Sequence, residues 1–387
     1  MREFKSILAA YKKIGTLDRK AAVATVVQVR GSSYRSPGAR MLITDDGKWV
    51  GSISGGCLEG DALRQARGVM MSEQPQTVTY DTREESNQNL GIGLGCDGVI
   101  DVLIEPIIAG DHSLTLLFDK ITNSERPLAL ATVFSGDKKS VGHKLLCSEE
   151  EILVGNITDE LIKEKVIADL KALFRGNASK GKKYHGLNGE VDVFIELIQP
   201  TISLIIFGGG FDARPVSNLA KSLGWDVTVT DECVAHIAPI FFPTADKLSL
   251  CQRSFIDRDF SITPYTACIL MSHNYEYDRD VLKKLVNTDS PYIGILGPRK
   301  RFNKMLDEFR ISGIELSPDV LGLVHSPIGL DIGAEAPDEI AVSIIAEIQS
   351  KFSNRPGGPL KFRSGAIHKR DSKSDQVFKQ VYIGQCR

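Results

Sequence analysis

Several familiar chemistries are excluded by motifs that this chain lacks. The sequence contains no C-x-x-C pair, no H-E-x-x-H and no other zinc-ligand spacing. It also lacks a Walker A loop, and no Ser/His/Asp arrangement emerges from the spacing of these residues. We therefore expect neither metal ligands nor a hydrolytic triad.

The cysteines are too scattered to form a disulfide framework. There are seven, an odd number, at positions 57, 96, 147, 233, 251, 268 and 386. No apolar run approaches the roughly 18 residues of a membrane span, and the N-terminal segment MREFKSILAAYKKIG lacks the apolar stretch of a signal peptide. These features predict a cytoplasmic protein, in a reducing compartment, with no membrane span.

Charge of one sign is not in excess either. Lys and Arg number 47 and Asp and Glu number 49, a net charge of -2. A nucleic-acid-binding domain carries a basic face, so no nucleic-acid partner is expected. The 387 residues are 42% hydrophobic and 25% charged, which is typical of globular proteins, and the length suggests two domains.

The most informative stretch is rich in glycine and runs from Gly31 to Asp61. Its Asp46-Gly47 step between two apolar runs predicts a β-hairpin. The turn Ser54, Gly55 and Gly56 then leads into a predicted helix, whose first amides and positive dipole favour an anion such as phosphate. Cys57 in that first turn is favoured as the thiolate. The alternative is a structural turn with a buried cysteine.

A second glycine-rich turn spans Gly91 to Gly98 and contains Cys96. It precedes a strand predicted from Val99 to Ile104. Turns of this kind are mostly structural, so taken alone it favours no particular ligand.

The middle of the chain is less diagnostic. A helix is predicted from Ile157 to Phe174, with Asn156 or Thr158 as its N-cap. The polar segment Gly176 to Lys183 is predicted to be a surface loop, and Pro200 marks a domain boundary.

The second half opens with a Rossmann-type pattern. A short apolar strand, Ser203 to Phe207, leads into a G-x-G-x-x-A turn formed by Gly208, Gly210 and Ala213. A helical pattern and a second strand follow, and that strand ends at Asp231, where Rossmann folds bind a ribose hydroxyl. The pattern predicts a βαβ unit with a dinucleotide site. The alternative is a Rossmann scaffold that holds no nucleotide.

Two later strand ends carry further candidate ligand contacts. His273 follows one predicted strand, and Gly297-Pro298-Arg299 follows the next. Ligands bind at the carboxyl ends of strands in α/β sheets, so His273 and Arg299 are candidates. A hydrogen-bonded surface histidine and an ordinary exposed helix start are the alternatives.

Two segments of the glycine-rich stretch are distinctive: G-S-S-Y-R-S-P-G-A-R-M at Gly31–Met41 and G-S-I-S-G-G-C-L-E at Gly51–Glu59. Together they resemble the signature of the XdhC/CoxI family, maturation factors for molybdenum hydroxylases such as xanthine dehydrogenase. The segment S-P-I-G-L-D-I-G-A at Ser326–Ala334 is similar to the family's C-terminal domain. The chain departs from the family pattern at Tyr34, where Pro is usual, and at Asp97, where Gly is usual.

The resemblance implies an accessory protein rather than a catalyst. XdhC-like proteins bind the molybdenum cofactor (molybdopterin), support its sulfuration with a cysteine desulfurase and hand it to the apo-hydroxylase. On this basis Cys57 lies near the molybdenum or the transferred sulfur, and Cys96 is a second thiol. Arg35 and Arg40 complement the charge of the cofactor, and we expect a homodimer.

The predicted architecture is α/β with two domains. An N-terminal XdhC/CoxI-type domain spans residues 1–200, a Rossmann-like domain with a parallel sheet spans 201–350, and residues 351–387 form a tail. Two other functions stay open: an NAD(P)-dependent oxidoreductase that uses the Rossmann domain, and a non-catalytic assembly scaffold. Nucleotide-dependent turnover would favour the first, and failure to bind either ligand class would favour the second.

Overall fold

The computed structural model describes residues 1–14, 19–31, 33–56, 58–81, 98–108, 113–176, 179–187 and 189–364. These residues fall into two compact units: the first comprises the described residues of Met1–Pro200 together with 363 and 364, and the second comprises Thr201–Phe362. Of residues 351–387, predicted to be a tail, those from 365 onwards lie outside the described residues.

The first unit begins with a five-stranded antiparallel sheet. Its elements are α1 (Arg2–Ile14), β1 (Ala21–Gly31), β2 (Arg40–Thr44), β3 (Trp49–Gly51), α2 (Glu59–Ser72), β4 (Gln76–Asp81) and β5 (Gly98–Ile107). The strand order is β3-β2-β1-β5-β4. The predicted hairpin is confirmed, because β2 and β3 pair antiparallel with Ile43 opposite Trp49.

A second five-stranded antiparallel sheet follows. Its elements are α3 (Ser113–Thr122), β6 (Leu128–Ser135), β7 (Lys144–Cys147), β8 (Ile152–Gly155), α4 (Glu160–Leu173), β9 (Lys180–Gly186) and β10 (Gly189–Ile198), in the strand order β8-β7-β6-β10-β9. The loop predicted for 176–183 is wrong from Lys180 onwards, because this segment pairs with β10. The N-cap prediction is also wrong: Asp159 caps α4 by accepting from the amides of Leu161 and Ile162.

The two sheets lie face to face between two helices. Alternate β1 residues, such as Ala22 and Ala24, pack with α2 on the outer face of the first sheet. The outer face of the second sheet packs in the same way against α4. The inner faces meet around four buried side chains: Val27, Leu103, Phe134 and Phe194. Helices α1 and α3 also pack against the inner faces. The first unit is thus a four-layer α-β-β-α arrangement.

Two ion pairs cross the inner space between these sheets. Arg40 on β2 meets Glu196 on β10, and Lys144 on β7 meets Glu105 on β5. These four side chains are between 5% and 12% exposed. Both charges of each pair are largely removed from water, and each pair links one sheet to the other.

The second unit contains a six-stranded parallel sheet. Its elements are β11 (Ser203–Phe207), α5 (Ala213–Ser222), β12 (Asp226–Asp231), β13 (Lys247–Leu250), α6 (Ile256–Asp259), β14 (Thr266–Leu270), α7 (Tyr275–Leu285), β15 (Tyr292–Ile295), α8 (Arg299–Ile311), α9 (Pro318–Leu321), β16 (Val324–His325) and α10 (Pro337–Phe352). The strand order is β13-β12-β11-β14-β15-β16. In order of appearance this is 3-2-1-4-5-6, the order of a dinucleotide-binding Rossmann fold.

Helices cover both faces of the parallel sheet. Helices α5 and α10 pack on one face through residues such as Val216 and Ile344. Helices α7 and α8 pack on the other through residues such as Val281 and Met305. The predicted α/β class with a parallel sheet in the second half is confirmed. Within the described ranges, none of the helices is both long enough and apolar enough to span a bilayer.

Candidate functional site

The two predicted thiols, Cys57 and Cys96, lie outside the described residues. Three of the cysteines that are described, Cys147, Cys251 and Cys268, are buried. Burial raises the pKa of Cys147 to about 11 and that of Cys268 to about 12. Because the thiolate is the reactive form, these two buried thiols are poor candidates for sulfur chemistry.

One carboxylate, that of Glu59, closes the turn before α2. Its Oε1 accepts hydrogen bonds from Ser52 Oγ (2.8 Å), Ile53 N (3.2 Å) and Ser54 N (2.9 Å). Its Oε2 accepts from Ser54 Oγ, Gly56 N (3.1 Å) and Leu58 N (3.2 Å). Gly56 and Leu58 flank Cys57, so a single oxygen atom holds the residues on both sides of the predicted thiol.

The Glu59 side chain is charged although it is buried. Burial by itself raises the pKa of a carboxyl group, but the hydrogen bonds from Ser54, Ser52 and the backbone outweigh this effect, and the pKa of Glu59 is lowered. The amides of Ser54 and Gly56, predicted to hold the anionic group of a ligand, therefore already donate to an anion of the chain itself. Ligand binding at this turn stays a prediction.

The two distinctive segments of the glycine-rich stretch meet at Tyr34 and Gly55. A Cβ placed on Gly55 would lie 3.5 Å from the Tyr34 ring, which therefore packs directly over this glycine. Tyr34 is nevertheless 61% exposed. Gly51, the first residue of the second segment, has φ +92°, and a Cβ there would lie 2.3 Å from the Arg40 carbonyl oxygen, so only glycine fits.

The two predicted basic residues of this region are differently placed. Arg35 is partly exposed and pairs with Glu3 of α1. Arg40 is 4% exposed, and its Nη1 donates to Glu196 Oε2 at 3.2 Å. The guanidinium of Arg40 also lies over the Phe4 ring at 4.2 Å. Arg35 thus lies at the surface near the turn, whereas Arg40 joins the two sheets.

The predicted phosphate-binding turn of the second unit lies where the strand order reverses. Gly208 has φ +117°, and a Cβ there would lie 2.4 Å from Ser272 Cα, so the turns that follow β11 and β14 are in close contact. A Cβ on Gly210 would lie 3.6 Å from the His273 ring. His273 has φ +60°, and its Nε2 lies 3.1 Å from Asp212 Oδ2. Such a backbone conformation is uncommon for a residue other than glycine and occurs often at functional sites.

Asp231, the predicted ribose ligand, is 8% exposed and already has partners. Its Oδ2 accepts from Gly209 N at 2.9 Å and lies 3.1 Å from His236 Nδ1, and its Oδ1 accepts from Cys233 N at 2.8 Å. Ala213 is fully buried at the start of α5. The turn is therefore tied to the end of β12 through Asp231.

Arg299 is exposed at the first turn of α8. Its neighbour Arg301 instead turns inward, and its Nη2 donates to Asp278 Oδ2 at 2.6 Å. Asp278 is 1% exposed and also accepts from Ser272 Oγ at 2.6 Å. Burial raises the pKa of Asp278. This pair supports the turn that carries His273.

Three important carboxylates, Glu3, Glu59 and Asp278, were not assigned roles from the sequence. Glu59 could have been noted as an acidic residue in the first turn of a helix that no Ser, Thr, Asp or Asn caps. Glu3 and Asp278 act through partners distant in sequence, and no local pattern indicates such pairs. Within the described ranges, no group of three or more His, Cys, Asp or Glu residues could hold a metal ion.

Comparisons with known proteins agree with this two-unit α/β fold that has a Rossmann-type second unit. Residues 204–348 match the model of the XdhC Rossmann domain, and residues 17–81 match that of the XdhC and CoxI family. A Bacillus subtilis protein, named as a probable subunit of xanthine dehydrogenase, is 32% identical over 329 residues, which are 85% of this chain and 92% of that protein. The chain therefore belongs to the XdhC/CoxI family.

Two further relatives are more distant. The molybdenum cofactor insertion chaperone PaoD of Escherichia coli is 24% identical over 330 residues, which are 85% of this chain and 83% of that protein. A crystal structure of a Bacillus halodurans protein described as a xanthine dehydrogenase is 28% identical, with a TM-score of 0.71. The match covers 92% of this chain and 99% of that one.

Proposed function

We propose that this protein binds the molybdenum cofactor and delivers it to a molybdoenzyme of the xanthine dehydrogenase type. The names of the relatives from Bacillus subtilis and Escherichia coli support both parts of this proposal. The structural observation that supports it most directly concerns the residues on either side of Cys57. The Glu59 carboxylate accepts hydrogen bonds from the amides of Gly56 and Leu58. Glu59 thus fixes the two residues that flank position 57, Gly56 and Leu58.

The proposed chemistry assigns the thiols to the cofactor. A soft thiolate suits both molybdenum and transferred sulfur, so Cys57 is the primary thiol and Cys96 the second. In this proposal the protein assists sulfuration of the cofactor with a cysteine desulfurase as partner. It acts in the cytoplasm as a homodimer.

The test is anaerobic isothermal titration of the protein with molybdenum cofactor. We expect binding that is weakened in Cys57→Ala and unchanged in Cys233→Ala, which removes an exposed cysteine of the second unit. Equal binding by wild type and Cys57→Ala would overturn the role of Cys57. No binding by the wild type would overturn the proposed function.

A second candidate function, as an NAD(P)-dependent oxidoreductase, is favoured by one observation. The glycine turn and His273 meet between β11 and β14, where the strand order reverses and Rossmann folds bind dinucleotides. NAD and NADP should therefore be titrated in parallel, with Gly210→Val as the variant that fills the turn. The oxidoreductase function would be favoured if the wild type binds NAD or NADP but not molybdenum cofactor, and if Gly210→Val loses this nucleotide binding.

A further inference from the structure

A surface pocket of about 270 Å³ lies beside the Cys57 turn. It is lined by Glu3 of α1 and by the consecutive residues Tyr34, Arg35, Ser36, Pro37, Gly38 and Ala39. The pocket therefore combines an aromatic ring, a guanidinium and a carboxylate. Arg35 was already a candidate contact from the sequence, whereas Tyr34 and Glu3 were not.

The Tyr34 ring forms one wall of this pocket and is well suited to stacking. It packs over Gly55, where a Cβ would be 3.5 Å away, so the glycine supports it from one side. With 61% of the residue exposed, ring surface is left open to a ligand. Flat conjugated rings stack on such aromatic side chains.

Arg35 and Glu3 supply complementary polar contacts. The Arg35 side chain is 37% exposed and lines the pocket. A guanidinium carries five N–H donors, and a ligand oxygen can accept from those that reach the pocket. Glu3 pairs with Arg35 and accepts from the Arg40 amide at 2.9 Å. Each carboxylate oxygen has two lone pairs, so Glu3 can accept a further donor.

We propose that this pocket binds the pterin ring system of the molybdenum cofactor. The ring stacks on Tyr34, its carbonyl oxygen accepts from the Arg35 guanidinium, and its amino group donates to Glu3. This inference rests on the proposed function. It places ring recognition beside Cys57 and leaves the Glu59 carboxylate in the helix turn, so no phosphate is required there.

The experiment titrates the full-length protein with 6-hydroxymethylpterin, which has the ring system without molybdenum or phosphate. Intact molybdenum cofactor is titrated in parallel. We expect Tyr34→Ala to weaken binding of both ligands about tenfold, as for the loss of one base-stacking contact. Tyr34→Phe should bind like the wild type, because the phenyl ring is retained. Phe362→Ala, which removes a 67% exposed ring of the second unit, is the matched control and should change neither affinity.

The outcomes separate this inference from the proposed function. Cofactor binding without pterin binding, or equal affinity of Tyr34→Ala and wild type, overturns the pterin pocket and leaves the proposed function in place. Failure of the wild type to bind either ligand overturns both. Competition by inorganic phosphate against hydroxymethylpterin would also contradict the pocket, since its contacts are to a neutral ring. Thermal unfolding of each variant confirms that the fold is intact.

Discussion

Arg40 shows how one residue can fit a sequence motif and yet have a mainly structural environment. The motif suggested a positive charge next to an anionic ligand. In the structure, the side chain is 5% exposed and is paired with Glu196, which is 8% exposed. Both charges have lost their water, and each depends on the other for compensation. The residue thereby links β2 of the first sheet to β10 of the second.

Replacing Arg40 by Leu should destabilise the first unit by about 3–5 kcal/mol, because Glu196 is left buried without its partner. The double variant Arg40→Leu/Glu196→Leu should be less destabilised than Arg40→Leu alone. Arg126→Ala is the control, since the Arg126–Glu150 pair is 76% exposed on both sides and should contribute under about 1 kcal/mol. Urea unfolding measures all of these, and similar losses at both sites would contradict the prediction.

Glu59 should make the stability of the first unit dependent on pH. Its pKa in the folded state is below the ordinary value of 4.5. The charged form therefore stabilises the fold above about pH 4.5, and this contribution disappears as the pH falls through the lowered pKa. Glu59→Gln should lose about 2 kcal/mol at neutral pH, with the difference from wild type shrinking in acid.

Urea midpoints measured between neutral pH and acid pH check this effect. Glu149→Gln, at an exposed position, is the control and should follow the wild type. A constant difference between Glu59→Gln and wild type across the whole range would show that the charge is not responsible.

At the scale of elements, the helices and strands with regular sequence patterns were predicted correctly, whereas short strands and edge strands were not. The hairpin and the β11–α5–β12 unit follow from local signals, namely Asp46-Gly47 and the glycine turn after an apolar strand. Strands β7 and β8 were missed because they are only four residues long. The Lys180–Lys183 segment is rich in lysine, but these side chains point into solvent from an edge strand and pair with residues such as Asp169. Edge strands tolerate such charge.

The candidate site was predictable to the same extent. The glycine turns and their positions before α2 and after β11 followed from the sequence. The sequence did not predict which groups bind the backbone amides of these turns. The amides donate to the side chains of Glu59 and Asp231, and residue spacing does not show whether a nearby carboxylate already accepts from them.

The glycine turn after β11 gives a prediction of its own. Gly208→Ala should destabilise the second unit by about 3 kcal/mol or more, because the new Cβ would meet the Ser272 backbone and the positive φ is strained. Gly313→Ala is the matched control: its φ is +73°, with no atom within 4 Å of the new Cβ, so it should lose only about 1 kcal/mol. Thermal unfolding distinguishes the two, and equal losses would contradict the close contact.

At the scale of the whole molecule, the chain forms two compact units with different sheet types. Antiparallel sheets characterise the residues before Pro200, and a parallel sheet characterises Thr201–Phe362. Each unit has its own buried core clusters, as independently folding domains do. We therefore propose that the two units are separate folding domains.

A fragment comprising residues 201–362 should fold by itself and unfold cooperatively. Gly208→Ala should lower its melting temperature as it does in the full-length chain. Circular dichroism of the fragment, with and without the substitution, measures this. A fragment that lacks a cooperative transition would contradict the division into domains.

The carboxylate in the helix turn also bears on how the protein discriminates among solutes. An open helix start accepts many small oxyanions, since backbone amides do not distinguish one from another. Here a competing oxyanion would have to expel Glu59 and leave a buried charge without donors, at a cost of more than about 3 kcal/mol. Sulfate, phosphate and nucleotides in the surroundings are therefore poor competitors at this turn. The protein would instead select its ligand at surfaces such as the Tyr34 ring, where binding depends on the shape of a flat ring and not on charge.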